Sequence, residues 1–391
     1  MKAKTSSQFL LCLALLWLAG SGLRLTILAV PPVIPLIHDD LQMSETAVGI
    51  LSGLPPVLFG LAAVPGSLLI ARLGPLATLV IGLLATALGS ALRGAAPNLA
   101  LLYAATVLTG IGVAVMQPSM PPLVRAWMPD RIGFGTAVYT NGLLIGEVLP
   151  VALTLPLVLP LVGGWRAGFV AWAVLVALIA LIVAVLAPRP LTAGGPASAP
   201  PRWWPNWRSA LIWRLGLMLG SVIAMYFAAN AFIPDYLHST GRADLISAAL
   251  TALNVGQLPA SLILLTIAGR LERQVWPYAL CGALGLLSAL GLAFGSSAIV
   301  LASAALLGFA CAAVLVLILA LPPLLSPPDD VHRTSAAMFT ISYTCAVVVP
   351  ILSGLAWDLT GMPATAFVPI GLCGVLLLAL APTIAPPRAR A

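Results

Sequence analysis

Charge is the scarcest property of this 391-residue sequence. Only 7% of its residues are Asp, Glu, Lys or Arg, against about 25% in an average soluble domain. So little polar surface cannot cover a water-soluble globule of this length, and the 61% hydrophobic content excludes a disordered chain as well. The 35 Gly and 34 Pro follow no triplet period, which removes a collagen-like repeat. Histidine is almost missing: His38, His238 and His332 are too few and too scattered for a His-built metal or catalytic centre. The five cysteines, Cys12, Cys281, Cys311, Cys345 and Cys373, each lie in an apolar stretch, and none shows CxxC or Cys/His spacing. That argues against a disulfide framework and against a metal site. There is no GxxxxGK[ST], GxSxG or HExxH, no paired catalytic carboxylates and no basic-aromatic array. An ATP-driven module, the common hydrolase classes and a nucleic-acid partner are therefore not expected. What remains is an integral membrane protein built of helices, not an enzyme, with no cofactor and with the lipid bilayer as its surroundings.

A helix that crosses a bilayer needs about 20 mostly apolar residues. Polar or charged breaks at 38–45, 72–75, 93–98, 125–133, 163–166, 188–210, 235–244, 270–274, 295–297, 326–334 and 358–363 separate twelve such stretches. The first, opened by Lys2 and Lys4, has the look of a cleaved leader. Retention as a span is expected, because Arg24 stands where a cleavage site needs small residues and the apolar run continues to Ile37. With the N-terminus inside, the cytoplasmic basic residues are Lys2, Lys4, Arg72, Arg125, Arg131, Arg189, Arg202, Arg208, Arg214, Arg270, Arg273, Arg333, Arg388 and Arg390. Only Arg93, Arg166 and Arg242 fall outside, and Arg24 lies within the membrane. This asymmetry predicts both termini in the cytoplasm, and it explains the net charge of +7 without nucleic acid. Trp165, Trp203, Trp204, Trp207, Trp276 and Trp357 lie at segment ends, where interfacial anchors belong.

The chain also repeats itself. Ile34-Pro35 with His38 returns as Ile233-Pro234 with His238, and Ala71-Arg72-Leu73 as Gly269-Arg270-Leu271. Met120-Pro121-Pro122-Leu123 returns as Leu321-Pro322-Pro323-Leu324, Asp130-Arg131 as Asp330 and Arg333, and Tyr139-Thr140 with Pro150 as Tyr343-Thr344 with Pro350. Five echoes in one order predict two six-helix bundles as parallel repeats around a central cavity: residues 1–187, a flexible cytoplasmic linker at 188–207, and residues 208–391.

On these features the chain resembles the major facilitator superfamily and, within it, the cyanate permease and 2-nitroimidazole transporter family. The matching stretches are Leu23-Arg24 leading to Pro35-Leu36, Leu54-Pro55, Gly110-Ile-Gly112 with Gln117 and Met120-Pro121, and Gly256-Gln257. The superfamily loop signature Gly-x-x-x-Asp-Arg-x-Gly-Arg-Arg survives only as Arg72-Leu73-Gly74, with Ala71 in the aspartate's place. A gating role for that carboxylate does not carry over. The resemblance implies a secondary active transporter working by alternating access, in a bacterial inner membrane, taking a small-molecule substrate. Uptake of a small anion or small polar organic solute is the first expectation. Export of nitroimidazole-like toxic compounds and, from another class, a passive pore are the alternatives. A monomer is expected.

A charge deep in a membrane span costs about 2.5–3.5 kcal/mol on insertion scales and calls for a reason. Arg24 falls midway along the apolar run Phe9–Ile37. Its planar fork suits a carboxylate or a small linear anion, and the alternative is a guanidinium satisfied by carbonyls or a carboxylate. Glu147, in the fifth span, reads as a carboxyl that gains and loses a proton during the cycle, as the ion-pair mate of Arg24, or as a residue near the span's outer end. Gly142 and Gly146 form a small-xxx-small pair that packs helices. Tyr226 and Asn230 share one helix face, as do Asn254 and Gln257, while Gln117, Tyr139 and Tyr343 lie in other spans. All seven are candidates to line a substrate site, or merely to bridge helices. Gln117, Tyr226 and Gln257 rank first, because the resembled family carries them too.

Overall fold

Helix ends in this chain follow local chemistry. Ser44 Oγ accepts the Ala47 N–H at 3.2 Å and Asn98 Oδ1 accepts that of Leu101 at 3.0 Å, each capping the helix that follows. Gly74, at φ 82°, lets one helix end and the next begin at Pro75. The computed structural model describes residues 6–188 and 202–384. Among them it shows eleven helices long and apolar enough to cross a membrane, one shorter apolar helix at the start and no strand. The spans in chain order are α1 Ser6–Gly22, α2 Glu45–Leu73, α3 Pro75–Gly94, α4 Leu99–Trp127, α5 Pro129–Val162 and α6 Trp165–Leu186. The second set is α7 Ala210–Ser239, α8 Ala243–Leu271, α9 Val275–Phe294, α10 Ser297–Leu325, α11 Pro328–Thr360 and α12 Pro363–Ile384.

The described chain forms two compact units. One runs to Pro205 and adds Ser326–Ala336, and the other holds Asn206–Leu325 with the residues from Ala337 onward. The segment Ser326–Ala336, from the second half of the sequence, groups with the first unit. There Arg125 Nη1 donates to the Ser326 carbonyl at 2.7 Å, and Arg333 Nε donates to the Trp204 carbonyl at 2.8 Å. The expected flexible linker falls mostly on residues 189–201, outside the described residues. Its described end is held rather than loose, since the Trp203 carbonyl also accepts from Ser67 Oγ at 2.9 Å.

Within the first unit glycines set the helix spacing. A methyl on Gly142 would overlap the Trp17 carbonyl, and one on Gly146 the Ser21 carbonyl. The expected small-residue pair thus brings α5 onto the backbone of α1. Gly82 of α3 meets Met116 and the Gly112 carbonyl of α4 in the same way. In the second unit Gly282 of α9 and Gly374 of α12 abut, and Gly308 of α10 meets the Leu253 carbonyl of α8. Leu61, Leu161, Phe294 and Leu359 are 70%, 76%, 78% and 77% exposed, as residues turned toward acyl chains should be. Trp204 and Trp276 are exposed as interfacial anchors, but Trp165 is buried, edge-on to Phe169. Arg93 also departs from expectation. The helix runs on to Gly94, so Arg93 lies in its last turn, fully buried, and not in a loop.

Candidate functional site

Arg24 stands where the first span loses its helix. α1 stops at Gly22, residues 23–30 run through turns, and the chain resumes as a 3-10 turn at Pro31–Val33 and a short helix Ile34–Leu41. Pro31 and Pro32 open the 3-10 turn that follows and have no N–H for a helical ladder, but the helix has already ended at Gly22, before the turns at 23–30. Interrupted helices of this kind are tolerated at membrane depth only where protein or a cavity satisfies the freed backbone groups.

The Arg24 guanidinium is paired. Its Nε lies 3.2 Å from Glu147 Oε1, with the two side chains 11% and 19% exposed. Its Cζ sits 5.2 Å from the centre of the Phe59 ring, a cation–π contact that the sequence did not signal. Arg24 thus has the carboxylate mate that was the alternative reading of the sequence, and any solute-binding role has to work through that pair. The physical reason is the glycine contact of α5 with α1: Gly146 meets the Ser21 carbonyl, which brings the next residue, Glu147, to the broken segment. Close by, Trp17 Nε1 donates to Asn141 Oδ1 at 3.0 Å, a second polar tie between α1 and α5. An anion that reaches this guanidinium must displace, or wait for the neutralisation of, a carboxylate already there.

The second unit gathers three of the uncharged candidates. Tyr226 Oη donates to Asn254 Oδ1 at 2.6 Å, and Asn254 Nδ2 donates to Asn230 Oδ1 at 3.3 Å. Asn230 Nδ2 in turn donates to the Tyr226 carbonyl at 2.8 Å. This is a connected network between α7 and α8, and it performs the helix bridging that was the plainer reading of these residues. Gln257 is buried on α8 just past Gly256, where α8 breaks into Ile246–Val255 and Gln257–Leu271. Gln117 is buried at the 3-10 turn Gln117–Ser119 inside α4. Three of the candidates, Arg24, Gln117 and Gln257, thus share one feature: each sits at an interruption of a helix. Tyr139 and Tyr343 are 2% and 1% exposed, and Tyr343 stacks on Phe339 with ring centres 6.3 Å apart. Among the described residues no group of three His, Cys, Asp or Glu side chains stands close enough to hold a metal ion.

Comparison with known proteins agrees with this architecture. The chain is 27% identical over 360 residues to the uncharacterized transporter YycB of Bacillus subtilis, covering 91% of this chain and 89% of that protein. It is 26% identical over 266 residues to the cyanate transport protein CynX of Escherichia coli, covering 67% and 68%. The fold superimposes on the crystal structure of FucP, a Major Facilitator Superfamily transporter in its outward conformation, with a TM-score of 0.77 at 14% identity over 97% of this chain and 100% of that one. Residues 14–287 match the Major Facilitator Superfamily itself. The twelve-span plan, the relatives and the direct match converge: the chain belongs to the Major Facilitator Superfamily and is a multi-pass membrane transporter, not an enzyme.

Proposed function

We propose that this transporter moves a small anion or small polar organic solute by alternating access, and that its Arg24–Glu147 pair couples the movement to a proton. The observation that carries this reading is the 3.2 Å pair at the break in the first span. A proton arriving from one side adds to the Glu147 carboxylate and forms an O–H bond, so the guanidinium loses its partner charge. A carboxylate or a linear anion then takes that place through the paired N–H groups of Arg24. On the other side the anion leaves, the proton passes from Glu147 to water and the pair re-forms. One anion and one proton cross together. The name of CynX, which specifies cyanate, supports an anionic cargo of this size. Within the first unit Gln117 would supply a hydrogen bond from its helix break, and within the second unit Gln257 and the Tyr226–Asn254–Asn230 network are the polar candidates. Both termini are taken as cytoplasmic, on the distribution of basic residues.

Uptake into proteoliposomes tests the reading with cyanate and monocarboxylates as probes, with and without an imposed proton gradient. The expected result is accumulation only with the gradient. Glu147→Gln should abolish that accumulation while leaving equilibrative exchange, and Arg24→Ala should raise the apparent substrate constant at least ~10-fold, about the loss of one charged hydrogen bond. Equal accumulation in both conditions, or an Arg24→Ala variant with unchanged affinity, would defeat it.

A further inference from the structure

A second buried arginine, outside the Arg24–Glu147 pair, is only partly satisfied. Arg93 in the last turn of α3 has no exposed surface. Its Nε donates to Thr106 Oγ1 at 3.1 Å, an oxygen whose own proton goes to the Leu102 carbonyl at 2.8 Å. Its Nη1 donates to the Thr26 carbonyl at 2.8 Å, and its Cζ lies 5.9 Å from the centre of the Phe169 ring. Arg93 Nη2 has no partner among the described residues, and neither does Thr26 Oγ1 on the residue that the guanidinium already grips. No described carboxylate forms an ion pair with Arg93. A guanidinium keeps its charge in a protein interior, and a buried charge with no counter-charge is strongly unfavourable. An uncompensated cation thus holds the main chain of the turn segment 23–30 at Thr26, whose hydroxyl also has no partner among the described residues.

We infer that Arg93 Nη2 and Thr26 Oγ1 together hold a monovalent anion of chloride size, enclosed at the break in the first span. Two donors, one of them charged, suit a halide. Arg93 and Thr26 are 0% exposed and Thr106 is 1% exposed, so an ion held here is out of contact with water in this conformation and exchanges only when the surrounding helices open. The anion neutralises Arg93 and, through the Thr26 carbonyl that Nη1 already holds, fastens the non-helical segment that carries Arg24. The site is separate from the proposed substrate position, and it stands or falls independently of proton coupling.

Thermal unfolding of the purified full-length protein in detergent tests this, with chloride or bromide exchanged against gluconate at constant ionic strength. The expected result is a saturable, halide-dependent rise in the unfolding temperature. Thr26→Val, which removes only the hydroxyl and keeps the carbonyl, should weaken the apparent halide affinity about fivefold. Crystals grown in bromide should give an anomalous peak within hydrogen-bond distance of Arg93 Nη2. A halide-independent unfolding temperature, a Thr26→Val protein with unchanged halide affinity, or a bromide peak found only elsewhere would each overturn the proposal, leaving a water molecule as the group's partner.

Discussion

Buried polar side chains in this protein divide by what surrounds them. Arg24 and Glu147 are held by each other, Tyr226, Asn254 and Asn230 by a closed network, and Arg93 by two protein acceptors for three donor nitrogens. Glu272 is a fourth case, outside the spans, between α8 and α9. The residue is buried, its Oε2 has no partner among the described residues, and its backbone carbonyl accepts from Tyr278 Oη at 2.7 Å. Burial pushes its carboxyl up to about 7 from an ordinary 4.5, and the neighbouring Arg273 opposes that shift only in part. The folded protein then holds a proton that the unfolded chain releases once the pH exceeds about 4.5. Stability should therefore fall as the pH rises from about 4.5 to about 7 and level off above that. The Glu272 share should be on the order of 1 kcal/mol once solvent screening is allowed for. Unfolding temperatures measured at pH 5 and pH 8 should differ in the wild type by more than in Glu272→Gln. Parallel pH profiles for the two proteins would show that this carboxyl carries none of the dependence.

Helices here meet through missing side chains, and the breaks in them fall where polar residues are needed. Gly142 and Gly146 lie on α5 one turn apart, each under a carbonyl of α1, which is how Glu147 reaches the broken segment. Gly142→Ala should destabilise the protein by about 1–3 kcal/mol, because the added methyl meets backbone rather than a movable side chain. Gly146→Ala should do the same and also lower gradient-driven uptake. Gly269→Ala on α8, where an added methyl meets nothing within 4 Å, is the control and should be close to neutral. Thermal unfolding of the three variants checks the ranking, and equal stability for all three would mean that α1 and α5 are not in backbone contact. The end of α1 at Gly22 is not readable from its prolines, since Pro31 and Pro32 come only after residues 23–30 and the pair Pro55-Pro56 stands inside the unbroken helix α2. The interruption at Gly256 is not readable either, because a single glycine inside a helical pattern usually leaves the helix intact.

At the scale of the whole molecule, the transporter class rests on composition, twelve apolar segments and the match to the superfamily. Its orientation rests on where the arginines and lysines fall. A fluorescent-protein fusion after the last residue should fluoresce and an alkaline phosphatase fusion at the same place should be inactive, because a basic-rich side is retained in the cytoplasm. The reverse pattern would invert the proposed direction of every loop. Membrane class, span number and the internal repeat were legible in the sequence because each span's fate is a local matter: about 20 apolar residues prefer the bilayer whatever their neighbours do. Which polar groups meet was not local. Arg24 pairs with Glu147, Arg93 turns inward to Thr26, and Ser326–Ala336 joins the unit of the other sequence half. Each of these depends on the rotation and close approach of helices far apart in the chain, and those were decided by backbone contacts at glycines and by carbonyls released at helix breaks.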